Sequence, residues 1–411
     1  MRDGLIAALD IGTAKICCFV AKDEGDGALR VVGIGHQVSR GLRNGVIVDM
    51  EAAEHAIRAA VHNAEQMAGE TIRGVVANLS GGQPESRSIN IEMAIDGHEI
   101  SDADLKRVLA EGRGVNGYAD RTVIHALPVG YAIDGARGIR DPRGMCGDRL
   151  GVRMHVITAA RGPVRNLVSC VARCHLEIDA LVLSSYAAGL ACLVGDELDL
   201  GVTCIDMGAG TTSVSVFRDG EMVFADSVPV GGQHVTNDLA RGLTTPVADA
   251  ERLKTLYGHA IATAADDKEM IDVPQVGEGE SASPNHVPRA ALIGIVRPRI
   301  EETFELVRDR LEENGFDKTA GRRVVLTGGA SQLAGARELA AQILNKQVRL
   351  GRPTVLKGLA ESTRGPAFAT CAGLLAYSAN LDAAAPVRDR GQARETAGRL
   401  ARFGHWFREN F

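Results

Sequence analysis

Two aspartates in this sequence stand in the same local setting. Asp206 closes the apolar run Val202-Thr-Cys-Ile-Asp206 and is followed by Met207-Gly-Ala-Gly-Thr-Thr-Ser213. Asp10 closes Leu5-Ile-Ala-Ala-Leu-Asp10 and is followed by Ile11-Gly-Thr-Ala-Lys15. A carboxylate at the end of a buried strand can hold Mg²⁺, and the N–H groups of a glycine turn beside it can cradle phosphate. Gly12, Gly208 and Gly210 permit such a turn and a close approach of a ligand. Thr13, Thr211 and Thr212 add hydroxyls, and Lys15 adds a cation where a phosphate would lie. Each stretch alone also fits an ordinary β-hairpin. Two copies of one plan point instead to two related halves facing one ligand.

The elements that must hold these groups can be read in order. After the first hairpin, residues 29–35 predict a third strand. Asp49 is placed to cap a helix with Ala53, Ile57, Ala60, Val61 and Ala64 on one face. Residues 74–79 read as a further apolar strand, which completes half of a mixed α/β lobe. From Gly81 to Pro163 the composition turns polar and Gly-rich. Here Ser101 and Asp104 form a weak capping box for a short helix. Residues 123–129 and 152–158 read as strands, joined by a Gly- and Arg-rich loop. This stretch is expected to be an inserted α+β subdomain, with His125 and His155 as packing or surface residues rather than a metal pair.

Further along, helices are expected over 164–173 and 186–194, flanking a strand at 180–183. The second hairpin, a strand at 222–228 and a helix at 234–243 follow. The next helix opens at Thr245-Pro246 and carries Glu251 and Lys254 on one face, a spacing that also suits a plain solvated ion pair. Residues 275–286 are low in complexity and read as a hairpin loop. A long helix is expected over 291–314, kinked at Pro298. Arg289, Arg297 and Arg299 near its start suit either a solvated face or a dock for an acidic peptide. Residues 323–331 predict a strand, the Gly328-Gly329 pair and a helix, where bare backbone lets a ring and sugar approach. A helix dense in small residues at 366–378 leads into a Pro- and Ala-containing linker.

With 411 residues the chain exceeds one ordinary core and suits two large lobes. A net charge of −6 argues against general nucleic-acid binding. Arg2 and Asp3 lead straight into the first strand, so no signal peptide is expected. No apolar run is long enough to span a membrane. The eight cysteines lack Cys-x-x-Cys spacing and are expected to be reduced core thiols of a cytoplasmic protein. No P-loop and no dinucleotide fingerprint is present.

What remains is an Asp-x-Gly hairpin, an Asp-x-Gly-x-Gly-Thr-Thr hairpin and a strand-Gly-Gly turn, in that order. This resembles the actin/Hsp70/sugar-kinase superfamily over about residues 5–380. Within it the opening Ala8-Leu-Asp-Ile-Gly-Thr-Ala-Lys-Ile16, the insert and the tail described below are similar to the FtsA family of bacterial cell-division proteins.

The resemblance implies an α/β, actin-like two-lobed ATPase fold with an inserted α+β 1C subdomain in the first lobe and a C-terminal amphipathic helix. Subdomain 1A would comprise 1–83 and 164–200, closed by a helix at 361–378, and 1C would span 84–163. Subdomain 2A would comprise 201–228 and 315–360, and 2B 229–314, with a linker at 379–394 and a membrane-targeting helix at 395–411. ATP and Mg²⁺ are the implied cofactors. Asp10 and Asp206 would hold the metal through water. Gly12, Thr13, Lys15, Gly208, Gly210, Thr211 and Thr212 would meet the phosphates. Gly232, Glu251, Lys254, Gly328, Gly329 and Ser331 would meet the nucleoside. The place of the water-orienting Gln of actin falls near Ala180, which has no polar side chain, while Asp179 beside it faces the other way; slow or absent hydrolysis is therefore implied. Implied partners are the FtsZ C-terminal tail, with Arg289 and Arg299 as candidate contacts, other copies of the chain in a filament, and further divisome proteins through 1C. The implied location is the cytoplasmic side of the inner membrane at the division site.

The tail also has its own physics. Three of the nine Phe and the single Trp lie in the last nine residues. On a helix, Leu400, Phe403, Trp406, Phe407 and Phe411 share one arc, Arg402 and Arg408 lie on the other, and Arg399 sits at the border. A basic, aromatic-faced helix in an acidic chain suits anionic phospholipid. The rival readings are a soluble sugar or small-molecule kinase of the same superfamily, which has no use for such a tail, and a pilus-assembly adaptor of the PilM type.

Overall fold

A computed structural model describes residues 5–24, 29–113, 120–277 and 285–384. The tail residues Arg399, Leu400, Arg402, Phe403, Trp406, Phe407, Arg408 and Phe411 lie outside them.

The first lobe is built on β1 (Leu5–Ile11), β2 (Lys15–Asp23), β3 (Leu29–Val38), a small ribbon of β4 (Leu42–Arg43) and β5 (Val46–Ile47), α1 (Met50–Ala68) and β6 (Gly74–Leu79). The insert follows as β7 (Glu85–Ala94), α2 (Asp102–Arg113), β8 (Arg121–Ile133), β9 (Ala136–Ile139) and β10 (Arg149–Ala160). The first lobe resumes with α3 (Arg161–Arg173), β11 (Glu177–Leu183), α4 (Ser184–Cys192) and α5 (Gly195–Leu200). The second contains β12 (Val202–Met207), β13 (Thr212–Arg218), β14 (Glu221–Val228), α6 (Gly232–Gly242), α7 (Val247–Tyr257), β15 (Met270–Val273), β16 (Asn285–Pro288), α8 (Arg289–Glu313), α9 (Phe316–Thr319), β17 (Arg323–Thr327), α10 (Ala336–Leu344) and β18 (Gln347–Leu350). Helix α11 (Ala369–Ala384) returns to the first lobe.

The two central sheets share one plan. The first has the order β11-β6-β1-β2-β3 and the second β18-β17-β12-β13-β14. In each, the strand ending in aspartate pairs antiparallel with the next strand and parallel with a later one, β1 with β6 and β12 with β17. The inner strands are buried on both faces, which is why they read as continuous apolar runs. Alternation along β2 sends Cys17 into one core and Cys18 into the other. Asp49 caps α1 by accepting from the Ala52 N–H at 3.1 Å, and Gly69 ends that helix at φ 71°.

The insert is a β7-β10-β8-β9 sheet with α2 against it. Its capping box forms: the Ser101 N–H donates to the Asp104 carboxylate at 3.0 Å. Strand β7 was not expected from its polar composition, yet Ile89, Ile91 and Met93 alternate with polar residues as a half-buried strand requires. The insert also reaches the second lobe. Ala225 on edge strand β14 donates its N–H to the Ser86 hydroxyl at 2.8 Å, and His155 Nδ1 lies 2.9 Å from the Met222 carbonyl. His125 and His155 are both buried packing residues.

Several expectations need correction. Helix α11 continues to Ala384, into the stretch read as linker, because Ala-rich sequence propagates a helix well. The Gly328-Gly329 pair opens a 3₁₀ turn, Gly329–Gln332, rather than α10 directly. Cys146 is exposed and Cys174 half-buried, while the other six thiols are buried. Strands β15 and β16 pair as the expected hairpin, and α8 is helical through Pro298. Among the described residues, no helix is long and apolar enough to cross a membrane.

Candidate functional site

The aspartate ends of the two central sheets open into one cavity of about 840 Å³. It is lined by Asp10, Gly12, Thr13 and Lys15 from the first lobe and by Asp206, Gly208, Gly210, Thr211, Gly232, Glu251, Lys254, Gly328 and Gly329 from the second. Thr212 and Ser331 do not line it. Thr212 donates to the Val230 carbonyl at 2.8 Å, and Ser331 to the Gly328 carbonyl at 2.7 Å, so both hold the loops from behind.

The two aspartate turns close alike. The Gly12 N–H donates to the Lys15 carbonyl at 3.1 Å, and the Gly208 N–H to the Thr211 carbonyl at 2.9 Å. A Cβ on either glycine would stand 2.9 Å from that carbonyl. Across the cleft, a Cβ on Gly210 would stand 2.6 Å from Thr13 Oγ1 and 2.8 Å from Asn44 Cα, so side-chain-free backbone lets the lobes meet. Gly328, at φ 85°, would place a Cβ 2.4 Å from the Asp206 carboxylate.

Burial pushes the Asp10 carboxyl up to about 6, against the pull of Lys15. Burial and the charge of Asp10 push Asp206 up to about 7, opposed by a hydrogen bond from the Thr370 hydroxyl at 3.1 Å. Two buried carboxylates with raised proton affinity, one of them raised further by the other, form a donor set that a divalent cation would satisfy. Among the described residues no group of three His, Cys, Asp or Glu side chains comes together.

At the α6–α7 wall of the cavity, Lys254 Nζ donates to the Gly232 carbonyl at 3.1 Å, to Thr236 Oγ1 at 2.8 Å and to Glu251 at 2.6 Å. Glu251 also accepts from Thr236. This ties α7 to the start of α6 and is more than a solvated ion pair. Lys15 Nζ donates to the Ala367 carbonyl and lies 3.3 Å above the Phe368 ring centroid. Ala180 and Asp179 do not line the cavity; the Asp179 carboxylate lies against Gly74.

Asn78 escaped the sequence reading. Its side chain is buried at the end of β6, accepts from the Ile11 N–H at 2.6 Å and donates to Asp10 Oδ1 at 2.8 Å and Ser184 Oγ at 3.1 Å. The available signal was a lone amide in the apolar run Gly74-Val-Val-Ala-Asn-Leu79. Asn78→Leu is expected to lower stability by about 2 kcal/mol in urea titration, since it strands a buried N–H and a carboxylate. Unchanged stability would show that Asn78 does not hold Asp10. The Asn44-Gly45 turn of the β4–β5 ribbon also went unread, although Asn-Gly with φ 49° and 74° is the preferred two-residue hairpin turn.

The three arginines near α8 are internally paired. Arg289 donates to the Tyr257 carbonyl at 2.9 Å and pairs with Glu269 and Asp266 at 2.9 and 3.3 Å. Arg299 holds Asp238 with two hydrogen bonds of 2.6 and 3.2 Å and also meets Glu302. Arg297 pairs with Glu301 at 2.7 Å.

Comparison with known proteins gives two family matches. Residues 203–373 match the model of "Cell division protein FtsA", and residues 81–158 that of the "SHS2 domain inserted in FTSA". Among curated proteins, the chain is 46% identical to cell division protein FtsA of Rhizobium meliloti (strain 1021), over 100% of this chain and 96% of that one. It is 31% identical to the Escherichia coli (strain K12) protein of the same name, over 99% of this chain and 98% of that one. Among solved structures, a chain of the PilM-PilN type IV pilus biogenesis complex aligns with a TM-score of 0.64 at 18% identity, covering 91% of this chain and 98% of that one. MreB5 of Spiroplasma citri bound to ADP aligns with a TM-score of 0.53 at 14% identity, covering 92% and 97%. At such identities these structures speak to the actin-like fold alone.

Proposed function

The chain belongs to the FtsA family of cell-division proteins, and on that premise we propose that it binds ATP–Mg²⁺ between its lobes, assembles into actin-like filaments and tethers FtsZ to the inner face of the cytoplasmic membrane. The observation that carries the nucleotide part is the convergence of two like Asp-x-Gly turns on one cavity. Asp10 and Asp206 would hold Mg²⁺, which supplies neutralisation of phosphate charge. The turns at Gly12–Lys15 and Gly208–Thr211 present backbone N–H groups to phosphate oxygens. Gly328 and Gly329 leave room for the nucleoside, and Lys254 fixes the α6–α7 wall beside it. Asn78 and Thr370 orient the two carboxylates.

The membrane part rests on the aromatic and basic pattern of residues 395–411. Each large apolar side chain buried in lipid contributes roughly 1.5–3 kcal/mol, so five on one face suffice for reversible attachment. Arg289 and Arg299 remain the candidate contacts for the acidic FtsZ tail, which would exchange with the carboxylates that now hold them. Other divisome proteins would dock on the insert.

One experiment tests the tether. The full chain and a chain ending at Arg390 are mixed with FtsZ, ATP–Mg²⁺ and vesicles of anionic phospholipid, then centrifuged. The full chain is expected to pellet with vesicles and to carry FtsZ down, the shortened chain to leave both in solution. Arg299→Glu is expected to pellet without FtsZ. Equal pelleting of full and shortened chains would make the tail a packing element and revive the soluble-kinase reading, which phosphorylation of a sugar panel would then support.

A further inference from the structure

A second cavity of about 300 Å³ opens beside the first and shares Thr13 and Gln233 with it. It lies between the β4–β5 ribbon of the first lobe and α6 of the second, and Thr13 of the first glycine turn lines both cavities. Its charge is lopsided. Arg43, on the ribbon, and Arg241, on α6, both line it, both are exposed, and neither has an ion pair among the described residues. The cavity's acid, Asp238, is already held by both hydrogen bonds from Arg299. Two uncompensated guanidiniums, one from each lobe, therefore face a polar cavity in a chain whose net charge is −6.

We propose that this cavity is a phosphate subsite, in which Arg43 and Arg241 clamp a tetrahedral phosphate from opposite sides of the cleft. Guanidinium forks suit phosphate oxygens, and an anion held by one arginine from each lobe favours the closed arrangement. The phosphate is either the terminal group of a bound triphosphate or free orthophosphate beside a diphosphate. The inference rests on the nucleotide reading above and adds to it a device that senses the third phosphate. The Asn44-Gly45 turn has a mechanical part in this, since it brings Arg43 to the cleft while Asn44 packs on Gly210 of the other lobe.

The test uses the full chain in excess Mg²⁺ and measures equilibrium affinities for ATP and ADP by calorimetric titration, for wild type and for the double variant Arg43→Gln/Arg241→Gln. ADP affinity is measured with and without orthophosphate at matched ionic strength. If the subsite takes the terminal phosphate, the variant loses about tenfold or more in ATP affinity and keeps that for ADP. If it takes free phosphate, orthophosphate tightens ADP binding severalfold in wild type and not in the variant, by reciprocal linkage. ADP affinity serves as the control for folding. Equal loss of ATP and ADP affinity, or unchanged affinity for both with no effect of orthophosphate, overturns the subsite while leaving the nucleotide cleft in place. A wild-type chain that binds neither nucleotide overturns the cleft reading and the subsite with it.

Discussion

Gly373→Ala is expected to destabilise the chain by about 2 kcal/mol or more and to weaken nucleotide binding. The two local terms have opposite signs. Alanine is the better helix former by about 0.5–1 kcal/mol, so α11 considered alone predicts stabilisation. A Cβ at Gly373 would stand 1.7 Å from the Ala187 carbonyl oxygen and 2.3 Å from its carbon. Both are backbone atoms of α4, so no side chain can swing aside, and the helices must separate. Their contact carries Ala187, Ala188, Ala191, Ala369, Ala372 and Leu375, all buried in one core. It also carries the site, since α4 begins at Ser184 beside Asn78, and Thr370 in α11 donates to Asp206. Gly294→Ala in α8 is the control: nothing lies within 4 Å of its added Cβ, and stabilisation by about 0.5–1 kcal/mol is expected. Urea unfolding of both variants decides the matter; stabilisation by Gly373→Ala would mean that α4 and α11 are not in this contact.

The second large effect is on acid stability. His125 Nε2 accepts from the Leu183 N–H at 3.0 Å, and His155 lies between the Met222 carbonyl, 2.9 Å from Nδ1, and the Ser86 hydroxyl, 2.8 Å from Nε2. The His125 ring is thus a neutral acceptor, and both rings are buried. Burial and the other histidine push His125 down to about 3, and burial pushes His155 down to about 4. The edges of Tyr186 and Tyr377 also face His125, but burial drives the Tyr186 phenol further up, away from this range. The unfolded chain protonates near 6.5, before the folded one, so stability is complete above that pH and is lost towards 4.

Each histidine should cost about 2 kcal/mol between about pH 7.5 and 5. Asp10 and Asp206 work the other way. Their raised folded values make the folded chain take up protons first as pH falls from about 7, a gain of similar total size. The wild-type profile alone will therefore look flat. The informative quantity is the difference between wild type and His125→Gln/His155→Gln, since glutamine keeps an acceptor and does not titrate. Over that range the variant should gain about 4 kcal/mol relative to wild type. A difference that stays constant with pH would place the two rings in contact with water.

The paired chemistry of the cleft was legible in residues 5–16 and 202–217 because it is local. A buried strand, an aspartate and a glycine turn occupy about a dozen positions, and the same plan occurs twice. The aspartate strands, the matching turns and the Gly328-Gly329 approach follow from that. Asn78 was not legible in the same way: a lone amide in the apolar run 74–79 signals burial, but nothing local says that it serves Asp10 on the neighbouring strand. Strand β7 was obscured by polar residues on its open face, although its alternation was present.

By itself the sequence determined the two-lobed plan, the family resemblance and the aspartates and glycine turns that line the cleft, since strand burial, turn geometry and cleft-facing glycines are set by neighbours along the chain. Only the tertiary structure decided which side chains meet between distant segments. It pairs Arg289 and Arg299 with carboxylates of their own lobe, seats the insert on β14 through Ser86 and His155, and brings Arg43 and Arg241 to the lining of one cavity. Those contacts depend on how sheets and helices pack, and packing joins residues whose separation along the chain carries no periodic signal.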